Sequence, residues 1–180
     1  LTQIPNGDLD PTDELDVRDK LGEVLVWMGD YHGAAMEFEE QLRLAASTES
    51  GALMIAKSMR RLGWLRRRQG DHDDACGQLE KALQALGDIE SDDAQGEAAT
   101  ILTELSFLCH RIGDFAKAIQ HSKNAFDLAE RLGNVSDAAY ALGTMGLAAQ
   151  AQGNFTGAFT NFQNCMERHE KAGDIGGIAS

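Results

Sequence analysis

The sequence predicts an all-α solenoid of antiparallel helix pairs. Three observations carry that prediction. The signature Gly-Asp/Asn-X-X-X-Ala opens at Gly29, Gly70, Gly113 and Gly153, at intervals of 41, 43 and 40 residues. A period of this length belongs to helical arrays whose units bury their apolar faces only by stacking. The two prolines, Pro5 and Pro11, both precede the periodic region, so nothing after them forbids long helices.

The elements follow in order. Residues 1–11 read as a flexible leader, with Asp10-Pro11-Thr12 opening the first helix. That helix spans 12–28 and stops at Gly29, since glycine takes the left-handed conformation that closes a helix. Asp30 then caps a helix over 30–46, its carboxylate accepting an orphan backbone N–H. The same stop and start divide 50–69 from 71–86 at Gly70-Asp71, 94–112 from 114–132 at Gly113-Asp114, and 135–152 from 154–172 at Gly153-Asn154. A second punctuation, Gly87-Asp88-Ile89, Gly133-Asn134-Val135 and Gly173-Asp174-Ile175, closes the second helix of a pair. Residues 173–180 align with 133–140, so eight helices are followed by the start of a ninth, and four repeats by the start of a fifth. The expectation is one solenoid domain over 12–180, a piece of a longer solenoid whose uncovered apolar end supports self-association. The chain begins without Met, which fits an upstream segment.

Composition narrows the function. The chain is 43% hydrophobic and 25% charged, enough for a real core. A net charge of −13 argues against nucleic acid, because phosphate contacts need a broad basic surface. No apolar run reaches membrane-spanning length. Cys76, Cys109 and Cys165 are odd in number and far apart, so they read as buried hydrophobes in a cytoplasmic protein and not as a disulfide frame. Asp71-His72-Asp73-Asp74 matches no calcium loop, and its carboxylates suit a helix N-terminus. His32, His121 and His169 lack ligand spacing, and His110 beside Cys109 points elsewhere on the helix. No cofactor, metal or catalytic group is expected.

These residues resemble the tetratricopeptide repeat family. There, a small residue on the first helix packs against Ala on the second, and the pairs here are Gly22 with Ala34, Gly63 with Ala75, Ser106 with Ala118, and Gly146 with Ala158. The preceding apolar position reads Leu21, Leu62, Leu105 and Met145. Second-helix core positions are Phe38, Leu79 and Phe162, then Leu42, Leu83, Phe126 and Met166. The unit exceeds the family's usual length of about 34 residues, and the family's early Trp and closing Pro are missing. The long unit is similar to those of Pins-type spindle-orientation adaptors, kinesin light chains, and bacterial signalling ATPases and transcriptional regulators.

The resemblance implies a right-handed superhelix with first helices lining a concave groove that takes peptides. It assigns to that groove Trp27, beside Asp16, Asp19 and Glu23, from the first repeat, and Lys57, Arg60, Trp64, Arg67 and Arg68 from the second. Phe107, His110 and Arg111, beside Thr100 and Thr103, come from the third, and Tyr140 and Leu147, beside Gly143 and Gln150, from the fourth. The family's carboxylate clamp is not reproduced, because Asp19 and Glu23 stand where it wants Lys and Asn.

Charge sharpens the assignment. Residues 51–70 hold six basic and no acidic side chains, while residues 1–50 carry net −9. Spacings of three and four put Lys57, Arg60, Trp64, Arg67 and Arg68 on one helical face. That face suits an acidic or amphipathic segment; the plainer reading is a solvated surface neutralised by Glu37, Glu39 and Glu40. The functional expectation is a non-catalytic protein-interaction scaffold. The alternative is a sensory or regulatory segment of a larger signalling ATPase, cyclase or transcriptional regulator.

Overall fold

One residue does double duty at each turn. In the computed structural model, which describes residues 10–47, 51–87 and 91–173, the Asp30 N–H donates to the Leu25 carbonyl at 2.9 Å and closes the first helix. Its own carbonyl accepts the Ala34 N–H at 3.0 Å, and its Oδ1 accepts the Gly33 N–H at 2.9 Å. The chain reverses between them at Gly29, with φ of 79°, a conformation costly for any side chain. Asp114 and Asn154 repeat this arrangement, donating to the carbonyls of Cys109 and Ala149 while capping Lys117 and Gly157. Glycines at 29, 70, 87, 113, 133, 153 and 173 all have positive φ, and all are stops expected from the sequence.

Eight α-helices and no strand occur among the described residues: α1(Pro11–Trp27), α2(Tyr31–Ala45), α3(Gly51–Arg68), α4(His72–Leu86), α5(Asp92–Ile112), α6(Phe115–Arg131), α7(Val135–Ala151) and α8(Phe155–Ala172). The expected spans hold, with cap residues falling just outside. One start differs by two residues: α5 begins at Asp92, because Ser91 caps it and Asp92 and Asp93 favour the first turn. Asp10 caps α1, with Pro11 inside its first turn. The rest of the expected leader, the segment after Gly87 and the start of a ninth helix lie outside the described residues.

The chain divides into two compact units, residues 1–85 and 86–180. In the first, α1 packs on α2 and α2 on α3. Gly22 leaves room for the fully buried Phe38 ring, and Gly63 lies against Leu79 and the Ala75 carbonyl. Gln41, with no exposed surface, ties three helices together: its Nε2 donates to the Leu15 carbonyl at 3.0 Å, and its Oε1 accepts from Ser58 Oγ at 2.8 Å. Leu25, Ala34, Phe38, Leu62 and Leu65 form a buried apolar cluster in this unit.

In the second unit α5 packs on α6, α6 on α7 and α7 on α8. Gly146 receives the Phe162 ring as Gly22 receives Phe38. The third repeat solves the same crossing differently, with Ser106 Oγ donating to the Ala118 carbonyl at 2.8 Å and its hydroxyl bonded to that of Ser122. Cys109 is buried with Ala118 and Ala148. Leu21, Leu42, Leu83, Phe126 and Met145 of the expected core are half-buried, and two more are exposed: Phe162 at 37% and Met166 at 47%, because no described helix covers that side of α8.

Candidate functional site

The residues assigned to a binding face sort into two groups, one on each unit. In the first unit α3 displays Lys57, Arg60, Trp64 and Arg67 half-buried and Arg68 exposed. Trp64 packs on the core cluster and meets the Tyr31 ring edge-on, with centroids 6.3 Å apart. The Arg68 guanidinium lies 5.0 Å from the Trp64 centroid and 6.0 Å from that of Tyr31, and Nη2 reaches the Tyr31 hydroxyl at 3.4 Å. A cation held over two aromatic faces keeps most of its N–H donors directed at solvent. Trp27, at the last turn of α1, is 92% exposed, rare for so large an apolar side chain.

The acidic residues next to this face have specific partners. Arg61 lies 3.5 Å from Asp19 Oδ1, bonds to Glu23, and stands 6.0 Å over the Phe38 ring. Arg66 pairs with Asp74 at 3.0 Å. Asp19 and Glu23 thus serve Arg61, and Asp74 serves Arg66; of the carboxylates expected to neutralise the face, Glu37 bonds Arg18 at 2.8 Å and Glu40 bonds Arg43. Asp71, from the acidic run, accepts the Asp74 N–H at 3.2 Å.

Partial burial disfavours the Glu23 charge, but the Lys20 hydrogen bond and the Arg61 charge outweigh it and hold the carboxyl below its ordinary 4.5. A depressed folded value means the pair's contribution is complete above about pH 4.5 and is lost as pH falls through that depressed value. Glu23→Gln should remove this acid-labile part. Unfolding free energies from urea titrations at about pH 7 and about pH 3.5 should then differ less than in the parent, by up to about 1 kcal/mol.

In the second unit the assigned residues are more apolar. Tyr140 is 56% and Leu147 39% exposed, Arg111 is exposed, and Phe107 is half-buried. His110 packs on Phe115 with centroids 5.7 Å apart. Thr103 Oγ1 donates to the Ala99 carbonyl at 2.8 Å and Thr100 to Gly96 at 3.1 Å, so those hydroxyls serve the helix itself.

Sequence reasoning passed over Tyr31 and Arg61. A signal for the first was present, since the residue after each capping Asp or Asn is Tyr31, His72, Phe115 or Phe155, a ring in all four repeats. Among the described residues no cluster of three metal-ligating side chains occurs, and no helix is long and apolar enough to cross a membrane.

The chain matches the family model described as tetratricopeptide repeat, over residues 13–87 and 97–171. No curated protein matches it in sequence. Among solved structures it is similar to BtubC (BKLC) from P. vanneervenii, with TM-score 0.77 and 17% identity over 92% of this chain and 67% of that one. It is also similar to aspartyl phosphate phosphatase F from Bacillus subtilis, with TM-score 0.82 and 14% identity over 93% of this chain. The apo form of RapI gives TM-score 0.82 and 16% identity over 92% of this chain. The chain spans 43% of the phosphatase and 59% of RapI. At these identities the likeness shows a shared fold.

Proposed function

The chain belongs to the tetratricopeptide repeat family, generally a protein-interaction fold and generally non-catalytic, and on that premise we propose that it binds an acidic or amphipathic peptide segment through the Trp64–Arg68 face of α3. The observation that carries this reading is the Arg68 guanidinium stacked over Trp64 and Tyr31 at the surface. Such a site offers planar, bidentate donors to a carboxylate and a ring edge to a neighbouring apolar side chain. Lys57, Arg60 and Arg67 extend the positive field along the same helix, in a chain of net charge −13. A basic face in an acidic protein steers an acidic ligand to one place. Trp27, Phe107, His110, Arg111, Tyr140 and Leu147 provide further apolar and basic contacts on their own units.

Capture on an array of acidic, basic and neutral peptides tests the reading. Acidic peptides should be retained, and retention should fall with added salt and with Arg68→Glu. Retention that ignores both changes would place binding elsewhere on the protein.

A second reading has its own support: the chain covers less than two thirds of aspartyl phosphate phosphatase F and of RapI. It takes the chain as a regulatory segment of a larger signalling protein. No peptide retention, with thermal stabilisation by small metabolites, would favour it.

A further inference from the structure

A cavity of about 320 Å³ lies in the second unit, where α6 and α8 flank the first half of α7. Phe126 of α6 and Val135 and Leu142 of α7 supply its apolar lining. Its polar lining all comes from α8, through Asn164, Glu167, Arg168 and Lys171. At 3.6 residues per turn those four face about 160° away from the exposed stripe of Phe155, Phe159, Phe162 and Met166 on the same helix. A helix packed on that stripe would therefore leave the cavity as it is. Arg168 builds one wall. Its Nη2 donates to Glu130 Oε2 at 3.1 Å, its Nη1 bonds Oε1 of the same carboxylate, and the guanidinium lies 5.1 Å from the Phe126 centroid. A guanidinium bound twice by one carboxylate and laid against a ring is already neutralised, so it shapes the cavity and captures no anion.

Two charges of opposite sign are left to meet a ligand. Glu167 and Lys171 stand four residues apart, in the order that ordinarily pairs along a helix, yet neither makes an ion pair or hydrogen bond among the described residues. We propose that the cavity binds a small zwitterion with an apolar body, in chemical terms a free α-amino acid with an apolar side chain. The Lys171 ammonium takes the ligand's carboxylate, the Glu167 carboxylate takes its ammonium, and the side chain lies on Phe126, Val135 and Leu142. Other ligand classes fit less well. A lone anion would be repelled by Glu167 and a lone cation by Lys171. A wholly apolar molecule would strip water from both charges and return no hydrogen bond. The volume is near the lower end for ligand cavities, which suits one amino acid and not a longer peptide. The site shares no residue with the α3 face, so a substitution that empties one should leave the other working.

Isothermal titration of the full chain with L-leucine tests this, beside isocaproate, which lacks the ammonium, and isoamylamine, which lacks the carboxylate. L-Leucine should bind and raise the melting temperature. Each truncated analogue should bind at least about 10-fold more weakly, because it leaves one of the two charges without a partner. Lys171→Gln should weaken leucine about 10-fold without weakening isoamylamine, and Glu167→Gln should do the same without weakening isocaproate. Both side chains are exposed, and unchanged circular dichroism confirms folding. Isocaproate binding as tightly as leucine would overturn the proposal in favour of a plain carboxylate site. A leucine affinity unmoved by both variants would overturn it by placing the ligand elsewhere. So would the absence of heat and of thermal stabilisation with L-leucine and L-phenylalanine at about 10 mM, weaker than specific binding ordinarily falls.

Discussion

Replacing Gly22 by alanine should lower stability by about 1–3 kcal/mol, the range for overpacking a filled core. A Cβ at Gly22 would sit 2.6 Å from Phe38 Cζ and 2.9 Å from its Cδ1, and Phe38 has nowhere to retreat at 1% exposure. Phe38→Ala should cost about 3–5 kcal/mol by leaving a cavity. In the double variant the alanine at 22 meets no ring, so its separate cost should vanish. That non-additivity is the signature of direct contact. Gly77→Ala on α4 supplies the opposite sign. An added Cβ there finds nothing within 4 Å, so stability should rise by about 0.5–1 kcal/mol from helix propensity. Urea midpoints decide the matter: equal effects of alanine at 22 and 77, or additivity with Phe38→Ala, would refute the interlock.

The third repeat explains why this crossing was only partly legible in the sequence. Small first-helix residues recur as Gly22, Gly63, Ser106 and Gly146, but the large partner recurs only as Phe38, Leu79 and Phe162. Ser122 breaks the series, and only the packed helices show that its hydroxyl meets that of Ser106. Turns were legible because their chemistry is local: glycine stop, acidic or amide cap, alanine four residues later. Gln41 was not, since a glutamine is ordinarily a surface residue and its burial depends on groups at Leu15 and Ser58 from other helices. The ion pairs fall between these cases. Arg61 with Glu23 and Arg168 with Glu130 are each separated by 38 residues, slightly less than one repeat. Opposite charges at that spacing were therefore visible, but which of several carboxylates each arginine would choose was not. The basic face was legible as a helical stripe, whereas Tyr31 joins it from α2 by a tertiary contact.

Arg68→Lys should weaken acidic-peptide binding about 10-fold or more, a loss near 1.4 kcal/mol, although it keeps the charge. An ammonium cannot stack over Trp64 or present two parallel donors to a carboxylate. Trp64→Ala should weaken binding further, about 10- to 100-fold, by removing both the platform under Arg68 and an apolar contact. Trp64 also packs on the Leu25, Leu62 and Leu65 core, so its variant should melt earlier, whereas Arg68→Lys should not. Tyr31→Phe retains the ring and gives up only a long 3.4 Å hydroxyl contact, so it should change affinity by no more than about twofold. Fluorescence anisotropy with one acidic peptide, beside a thermal melt for each variant, separates these effects. If Arg68→Lys binds like the parent, charge alone suffices and the stacked guanidinium is not what recognises the ligand. If Trp64→Ala loses stability but not affinity, the ring belongs to the core and the peptide lies on other residues. Trp27→Ala removes a side chain that is 92% exposed, and it should leave the melt unchanged. A fall in affinity there would extend the binding face onto α1; an unchanged affinity would leave Trp27 outside it.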